Sequence, residues 1–259
     1  MRHLIIGLGS MGKRHLHNLR RLRPNDTFIT VDTDLSRGAD YQYPSAELVR
    51  DSLVYICSPT QWHSIHATFA SQYNPAGIFI EKPLFPSVVY GQKVNWPDCP
   101  IAVGYMYRFH DLFRELKSHT HNIFSFHVYA SDASLRRYEQ PALELLLAHP
   151  INTAQWLFGD MKEHTTTNQG ERASFVAKSH SGVSISMSAD MLSEQRISLC
   201  IVGWLNYETR VHEQRIFNVL PDEDMYVRET EAWLKYVETG ESGDLCTLGG
   251  ALGTQELLR

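Results

Sequence analysis

The chain has 259 residues, of which 43% are hydrophobic and 20% are charged, and its formal net charge at pH 7 is −5. Such a chain can bury a large core, either as one large domain or as two smaller ones. The mild negative charge argues against a nucleic-acid partner, which needs a concentrated basic surface, and the basic cluster at 13–23 is interpreted as a solvated helix face. The sequence contains no apolar run as long as a membrane span, and its four scattered cysteines show neither disulfide nor zinc spacing. We therefore expect a cytoplasmic protein without a membrane partner.

The first 105 residues alternate short β-branched runs with helical patterns. Strands are predicted at 3–7, 27–32, 53–58, 77–81 and 101–105, and helices at 11–22, 45–51 and 61–73. Apolar strands interleaved with helices are typical of a parallel sheet that is covered on both faces. We therefore predict an α/β fold with a doubly wound parallel sheet in this part of the chain.

After about residue 120 the pattern changes, because apolar residues begin to alternate with serines, most strictly in "GVSISMSAD". The elements predicted here are strands at 123–130, 182–190 and 196–203, a hairpin turn at 180–182, and helices at 223–238 and 247–258. Successive alternating strands indicate an antiparallel sheet with one face on a core. The change of pattern predicts an N-terminal domain over 1–119 and a C-terminal α+β domain over 120–259.

A glycine-rich loop follows the first predicted strand in "IIGLGSMGKRH", where Gly7, Gly9 and Gly12 have GxGxxG spacing. The first glycine allows a tight turn, the second lets the backbone approach a pyrophosphate, and the third lets the helix pack on the strand. The N-terminus of that helix favours phosphate groups. The second strand ends in Asp32, whose carboxylate can accept both ribose hydroxyls and would repel a 2′-phosphate. We predict NAD as the cofactor, with NADP as the alternative because Arg37 is close enough in sequence to contact such a phosphate.

Three further segments resemble one known family. "ICSPTQWHSIHATFA" (56–70) and "IFIEKPLF" (78–85) are similar to segments of the glucose–fructose oxidoreductase / inositol dehydrogenase / MocA (Gfo/Idh/MocA) family. "VGYMYRFHD" (103–111) resembles the members that act on sugars and nucleotide sugars. The resemblance implies a Rossmann domain followed by a domain on an open antiparallel sheet. It also implies an NAD(P)-dependent oxidoreductase that acts on a secondary alcohol or ketone of a sugar or nucleotide-sugar-like substrate.

The resemblance also implies which residues line the cofactor. They are Gly7, Gly9, Ser10, Met11, Gly12, Asp32, Ser58, Pro59, Thr60, His63, Glu81 and Lys82. Lys82 of the "EKP" segment would lie beside the nicotinamide and the reacting carbon, where a lysine can hold a substrate oxygen. The bond from Lys82 to Pro83 is typically cis in this family. For substrate contacts we expect Tyr105, Arg108 and Tyr138.

The catalytic assignment of His149 depends on "ALELLLAHPINTAQWLFGD", which ends in the "WLFG" of the family. That ending aligns His149 with the family histidine that exchanges the proton of the reacting hydroxyl, a role that suits an imidazole. The acid usually found four residues earlier is Leu145 here, and Glu144 lies five residues earlier, on a different face of a regular helix. Asn152 stands where the family usually has Asp. Pro150 should break or kink the helix.

Several interpretations of His149 are therefore open. A kink could re-aim Glu144, or another residue could act as partner of His149 and Lys82; the candidates are Asp132, Glu139, Tyr105, Tyr107 and Tyr138. Alternatively, a charged substrate group supplies the missing charge, or His149 is a core residue. If catalysis has been lost, the protein would be a nucleotide-binding sensor or partner subunit. Reduction of an imine or a linear tetrapyrrole is a further alternative to sugar chemistry.

Two expectations concern partners and metals. The flat, small-sided serine face at 184–188 predicts a homodimer through the C-terminal sheet. His63 and His66 lie three residues apart on a predicted helix, but the sequence supplies no obvious third ligand. We therefore expect a small-molecule substrate and no bound metal.

Overall fold

The computed structural model describes residues 1–87, 94–206 and 208–259. The chain forms two compact units, the first from Met1–Tyr105 and Glu223–Leu252 and the second from Met106–Asp222 and Gly253–Arg259. Residues 106–119 thus fall in the second unit and 223–252 in the first, whereas the predicted domains were 1–119 and 120–259. Within the described residues, no helix is both long enough and apolar enough to cross a membrane.

Twelve strands and seven α-helices make up the regular structure of the described residues. The strands are β1 (Arg2–Ile6), β2 (Thr27–Val31), β3 (Leu53–Ile56), β4 (Gly77–Glu81), β5 (Ile101–Gly104), β6 (Ile123–Ser131), β7 (Met161–Asn168), β8 (Arg172–Ser179), β9 (Ser184–Asp190), β10 (Ile197–Asn206), β11 (Val211–Asn218) and β12 (Cys246–Thr247). The α-helices are α1 (Ser10–Leu22), α2 (Ala46–Val49), α3 (His63–Ser71), α4 (Asp111–Ser118), α5 (Ala148–Phe158), α6 (Glu223–Thr239) and α7 (Leu248–Leu257). A π-helix, Leu143–Leu147, precedes α5.

The first unit is built on a six-stranded sheet with the order β12-β5-β4-β3-β1-β2. Strands β1 to β5 are parallel, whereas the short β12 pairs antiparallel with β5. Every side chain of β3 and β4 is buried, which explains the unbroken apolar runs in their sequences. The winding direction reverses beside β1, and such a reversal creates a crevice at the carboxyl ends of the strands.

Helix α6 packs on this sheet although it follows the whole second sheet in sequence. Its Trp233 is fully buried and donates a hydrogen bond from Nε1 to the hydroxyl of Tyr55 at 3.0 Å. The ring also fills the space above Gly77, where a Cβ would lie 3.0 Å from Cη2 of the tryptophan. The contacts of one large aromatic residue thus explain why this late segment belongs to the first unit.

The basic cluster of α1 is partly covered by α6 rather than fully solvated. Arg14 pairs with Glu223 at 3.0 Å and lies over the ring of Tyr226 at 4.2 Å. Arg23 pairs with Glu238. The interpretation of a wholly solvated face is therefore corrected for Arg14 and Arg23, which contact acids on a helix that is distant in sequence.

The second unit is built on a sheet with the order β11-β10-β6-β9-β8-β7. Its neighbouring strands are antiparallel except for β6 and β9, which are parallel. In β9 the apolar residues of the predicted alternation are buried and the serines lie on the opposite face. Gly182, with φ of +90°, lies in the predicted hairpin turn between β8 and β9. The predicted fold class, a doubly wound parallel sheet followed by a mostly antiparallel one, is confirmed.

Candidate functional site

The loop between β1 and α1 uses its three glycines in different ways. Gly7 has a φ of +97°, and a Cβ there would lie 2.7 Å from the backbone of Cys57. A Cβ on Gly12 would lie 1.8 Å from the carbonyl oxygen of Gly7, so α1 needs glycine here to approach β1. A Cβ on Gly9 would meet no described atom within 4 Å. The first and third glycines are thus packed against the backbone, whereas the second has free space beside it. A pyrophosphate that approaches the loop closely needs this free space at the second glycine.

Helix α1 begins at Ser10, and its first turn is suited to an anion. The N-cap residue, Gly9, provides no side-chain cap, and the first turn contains no acidic residue. Ser10 is exposed and Met11 is half-buried. The N–H groups of a helix N-terminus have no intrahelical acceptor and carry the positive end of the helix dipole. This end of α1 therefore fits a phosphate group.

Asp32, directly after β2, is held beside the glycine loop. Its Oδ2 accepts a hydrogen bond from the N–H of Leu8 at 2.7 Å, and its Oδ1 accepts one from the N–H of Asp34 at 2.9 Å. The guanidinium of Arg37 lies 3.3 Å from Asp32 and 3.4 Å from Asp34, and its side chain is half exposed. The carboxylate that favours NAD is thus fixed by backbone donors, while the cation that could contact a 2′-phosphate is at the surface.

The segment after β3 is tied to the segment after β4 by His63. This imidazole lies 2.8 Å from the carbonyl oxygen of Ser58 through Nε2 and 2.9 Å from that of Pro83 through Nδ1. Burial lowers its pKa below the ordinary 6.5, and the two carbonyl contacts oppose that shift. The hydroxyl of Ser58 lies 2.9 Å from Nδ1 of His66. Two histidines that were considered as metal ligands thus form hydrogen bonds that fix the loops.

Pro59 and Thr60 continue the same loop. Pro59 is the N-cap residue of a short 3₁₀ turn, Thr60–Trp62, and Thr60 is buried. These residues lie between the end of β3 and the start of α3, where the crevice of a doubly wound sheet is formed.

Glu81 ends β4, and Lys82 follows it. Glu81 is buried, and its Oε1 lies 2.7 Å from Nε2 of His15 on α1. Lys82 is half-buried, and its peptide bond to Pro83 is cis. The sequence analysis missed His15, although it lies three residues after Gly12 and therefore on the same face of α1, which packs against the sheet. The His15–Glu81 pair connects the glycine-loop helix to the strand that carries Lys82.

All of these residues follow β1, β2, β3 or β4, or lie at the start of the next helix. The carboxyl ends of neighbouring parallel strands lie at one edge of a sheet, so the first unit brings the predicted cofactor residues to a common edge. The open space at Gly9, the uncapped α1 and the fixed carboxylate of Asp32 together fit a dinucleotide.

In the second unit, His149 is buried in the first turn of α5. The ring of Tyr107 stacks on its imidazole, with centroids 4.9 Å apart and an interplanar angle of 22°. Burial raises the pKa of the Tyr107 hydroxyl, and a hydrogen bond with Ser198 opposes that shift. Among the tyrosines considered as partners of His149, Tyr107 is therefore shown to contact its ring.

Pro150 was expected to break or kink the helix; α5 does not end there but runs through this residue from Ala148 to Phe158. Pro150 is the third residue of α5, and it has no N–H to donate to a carbonyl of the preceding π-helix. The irregularity lies immediately before α5, in the π-helix Leu143–Leu147.

A buried network of hydrogen bonds holds Arg108, which the sequence predicted as a substrate contact. Its Nε donates to Oδ1 of Asn152 at 2.7 Å, and Nδ2 of Asn152 donates to the hydroxyl of Thr254 at 2.8 Å. That hydroxyl in turn donates to Oε1 of Gln155 at 2.7 Å. Asn152, which the sequence showed as a departure from the family, thus positions a buried cation. Thr254 and Gln155 could not be singled out from the sequence, because their contacts depend on α7.

The other two predicted substrate residues are differently placed. Tyr105 is buried directly after β5, whereas Tyr138 is 43% exposed and lies under the guanidinium of Arg137 at 5.0 Å. In the part of the chain that the structure describes, no group of three His, Cys, Asp or Glu side chains is arranged to hold a metal ion.

The fold and the glycine loop define a class of protein, a nucleotide-binding parallel sheet joined to a domain on an open, mostly antiparallel sheet. Residues 1–95 match the family model of Gfo/Idh/MocA, described as an oxidoreductase family with an NAD-binding Rossmann fold. The match covers residues 1–95 of the 259-residue chain. The match confirms the predicted family, the assignment as an oxidoreductase and NAD as the cofactor.

Solved structures show the same fold over the whole chain. A myo-inositol 2-dehydrogenase from Lactobacillus plantarum aligns with a TM-score of 0.78 and 17% identity, covering 100% of this chain and 95% of the other. A UDP-N-acetylglucosamine 3-dehydrogenase from Acidithiobacillus ferrooxidans aligns with a TM-score of 0.75 and 16% identity, covering 100% and 94%. A scyllo-inositol dehydrogenase from Lactobacillus casei, solved with NAD(H) and scyllo-inositol, gives 0.75 and 14%, covering 100% and 94%. No curated protein sequence matches the chain.

Proposed function

We propose that the protein is an NAD(P)-dependent oxidoreductase that transfers a hydride between nicotinamide and a secondary alcohol or ketone of a sugar or nucleotide-sugar-like substrate. The observation that carries this proposal is the glycine loop, closed at Gly7 and Gly12 and open at Gly9, within the residues that match an NAD-binding family. Similarity in fold to inositol and UDP-sugar dehydrogenases supports the substrate class.

The proposal assigns a separate task to each candidate residue. The bound nicotinamide supplies the hydride acceptor or donor. The ammonium group of Lys82, a half-buried residue, holds the substrate oxygen, because a cation at that atom stabilises developing negative charge. His149 accepts or returns the hydroxyl proton. Arg108, held by Asn152, contacts an anionic or hydroxyl group of the substrate, and Tyr105 and Tyr138 are assigned to substrate contacts as well.

The first test is calorimetric titration of the purified protein with NADH and NADPH in parallel. We expect NADH to bind more tightly, because the carboxylate of Asp32, which accepts a hydrogen bond from the glycine loop, would repel a 2′-phosphate. Tighter binding of NADPH would instead indicate that Arg37 determines the choice of cofactor. The proposal would be overturned if neither nucleotide bound at millimolar concentration.

The second test is turnover on a panel of cyclic polyols and UDP-sugars, with Lys82→Met compared with the wild type. We expect Lys82→Met to lose turnover and to keep NADH binding. A second candidate function, a non-catalytic nucleotide sensor or partner subunit, is favoured by Leu145, which stands where the family has its acid. A wild-type protein that binds NADH but turns over no member of the panel would support that candidate.

We also propose that the protein forms a homodimer through the outer face of the second sheet. On that face Val176, Ser186, His127, Ile201 and Ile216 form one row across five strands. Val176 is 55% exposed and Ile216 is 65% exposed, so the row presents apolar surface to solvent at both ends. A second copy would bury this surface.

Light scattering at micromolar concentration tests the dimer. We expect the mass of a dimer for the wild type and the mass of a monomer for Ile216→Asp, because the new carboxylate would be desolvated at the interface. Asn25→Asp, at an exposed position of the first unit, is the matched control for added charge. A monomeric mass for the wild type would contradict the proposal.

A further inference from the structure

Ser58, the second residue after β3, is held on three sides. A Cβ on Gly7 would lie 2.7 Å from the backbone nitrogen of Ser58, so this residue lies against the nucleotide loop. Its carbonyl oxygen lies 2.8 Å from Nε2 of His63, and its hydroxyl oxygen lies 2.9 Å from Nδ1 of His66. Ser58 is 8% exposed. The hydroxyl group is thus fixed in place by His66.

The strand order indicates which half of a dinucleotide would lie beside Ser58. Strand β1 lies between β2 and β3. A dinucleotide binds across the crevice at this reversal, and the acid after the second strand holds the ribose of its adenosine half. Asp32 follows β2, so the nicotinamide half belongs to the side of β3 and β4. The group of the ligand beside Ser58 would therefore be the nicotinamide ribose.

The backbone carbonyls of this loop are turned towards partners in the protein. Those of Ser58 and Pro83 contact the ring nitrogens of His63. That of Pro59 accepts a hydrogen bond from the N–H of Trp62 at 2.8 Å. A ribose hydroxyl that donates to the loop therefore needs a side-chain acceptor, and the hydroxyl oxygen of Ser58 has two lone pairs to offer.

We propose that His66 makes the Ser58 hydroxyl a hydrogen-bond acceptor for a hydroxyl group of the nicotinamide ribose. The neutral imidazole accepts the Ser58 proton at Nδ1, which directs the lone pairs of the hydroxyl oxygen to the ligand. His66 is then a positioning residue, which acts on the dinucleotide through Ser58. The inference rests on the proposed function, since it assigns a partner to one of the proposed cofactor residues.

Protonation of His66 reverses the direction of this hydrogen bond. Both nitrogens of an imidazolium carry a proton, so Nδ1 must donate to the hydroxyl oxygen of Ser58. One lone pair of that oxygen is then occupied, and the Ser58 proton turns towards the ligand. A ribose hydroxyl that donated to Ser58 now meets a donor, so the affinity for the dinucleotide should fall.

The charges around His66 determine the pH at which this reversal occurs. Helix α3 packs on β3, on β4 and on the short 3₁₀ turn before it. The titratable residues of the two strands, Tyr55 and Glu81, contact His15 on α1, and the 3₁₀ turn contains no titratable residue. Burial lowers the pKa of His66 below the ordinary 6.5, and the charge of His63 lowers it further. The neutral form of His66 therefore predominates above pH 6.5, and the protonated form appears as the pH falls below that value.

The experiment is calorimetric titration with NAD⁺, which is stable in acid, at pH 7.5 and pH 5.5. We expect the wild type to bind NAD⁺ roughly 3- to 10-fold more weakly at pH 5.5, the usual contribution of one hydrogen bond. AMP has no second ribose, so it should not distinguish the wild type from His66→Asn at either pH. If AMP distinguished them as strongly as NAD⁺ does, the contact with the nicotinamide ribose would be disproved.

His66→Asn places an amide near the position of Nδ1, and this amide does not titrate. We expect the variant to lose less affinity than the wild type does between pH 7.5 and pH 5.5. At pH 7.5 it should bind NAD⁺ more tightly than His66→Leu, which offers Ser58 no acceptor. His17→Asn, at an exposed position of α1, is the matched control and should show the wild-type pH dependence. If His66→Asn and His17→Asn depend on pH alike, the inference is overturned.

A measurement without ligand tests the hydrogen bond itself. The ¹⁵N NMR spectrum of His66 at pH 7.5 should show mainly the neutral tautomer that is protonated at Nε2, because Nδ1 accepts the Ser58 proton. Ser58→Ala removes that donor and should change the tautomer ratio. An unchanged ratio would overturn the inference.

The proposed function and this inference fail in different ways. A wild type that binds no NAD⁺ would overturn the proposed function and the ribose contact together. A wild type that binds NAD⁺ with a pH dependence that His66→Asn leaves intact would overturn the role of His66 alone.

Discussion

Single atoms determine what each glycine of the nucleotide loop can tolerate. A methyl group on Gly12 would overlap the carbonyl oxygen of Gly7, whereas one on Gly9 would enter open space. The same substitution at the two positions should therefore disturb different properties, packing at Gly12 and ligand access at Gly9.

The first prediction is that Gly9→Ala keeps wild-type stability and loses NADH affinity, while Gly12→Ala loses stability. For Gly12→Ala we expect a loss of about 1–3 kcal/mol or more in the free energy of unfolding, as for overpacked sites. Urea denaturation measures the stability of each variant, and calorimetric titration measures its NADH affinity. Equal destabilisation of both variants would contradict the assignment of open space at Gly9.

Asn152 provides the second prediction at this scale, because it accepts a hydrogen bond from the buried guanidinium of Arg108. Asn152→Leu leaves that charge without this acceptor, and we expect it to lower the free energy of unfolding by about 3 kcal/mol. Asn152→Asp keeps the acceptor for Arg108 and loses only the donor to the Thr254 hydroxyl, so it should be closer to the wild type than Asn152→Leu is. Urea denaturation of the two variants tests the difference. If both variants lost the same free energy of unfolding, the hydrogen bond from Arg108 to residue 152 would not be what stabilises the fold.

At the scale of elements, one helix differs in regularity and another in position from what the sequence pattern predicts. The π-helix Leu143–Leu147 directly precedes α5, whose third residue is Pro150, so the helix is irregular close to where the proline predicted a break or kink. Helix α6 joins the first unit because Trp233 fills a space between Tyr55 and Gly77.

The third prediction concerns α6. Trp233→Ala removes a fully buried aromatic side chain and the donor to Tyr55, so we expect it to cost about 3–5 kcal/mol of unfolding free energy. Trp233→Phe keeps much of the buried area and should cost clearly less. Tyr236→Phe, on the same helix, is a control that preserves the ring. Unfolding measured by far-UV circular dichroism in urea distinguishes the three variants, and a small effect of Trp233→Ala would contradict the proposed anchor.

At the scale of the whole molecule, stability should depend on pH through buried and half-buried imidazoles of the first unit. Burial lowers the pKa of His3, His63 and His66 below the ordinary 6.5. The folded protein therefore binds fewer protons at these sites than the unfolded chain does. Their neutral forms are fully compatible with folding above pH 6.5, and stability falls as the pH drops below that value towards the folded pKa values.

The fourth prediction is a lower melting temperature at pH 5.5 than at pH 7.5. His66→Gln should make the dependence shallower, because the variant has one fewer proton-linked site. His180→Gln, at an exposed position of the second unit, should leave the dependence as it is in the wild type. Differential scanning calorimetry at constant ionic strength provides the measurement. A melting temperature that is higher at pH 5.5 than at pH 7.5 would contradict this prediction.

The sequence by itself determined the features that are encoded within a few consecutive residues. Unbroken apolar runs identified the buried parallel strands, and strict alternation identified β9 with one buried face. The glycine spacing and Asp32 identified the dinucleotide loop, because each of these positions has a local steric or electrostatic reason. Short, polar or irregular elements were not predicted, among them β7, β11 and α4, since their local patterns are weak.

The tertiary structure decided which residues become partners across long stretches of chain. It paired His15 with Glu81, placed Asn152 between Arg108 and Thr254, and stacked Tyr107 on His149. It also made β6 and β9 parallel within an otherwise antiparallel sheet. A periodic pattern reports which face of an element is buried, whereas the identity of a hydrogen-bond partner depends on which distant segment packs against that face. For this reason the nucleotide loop could be recognised in advance, and the surroundings of the histidine could not.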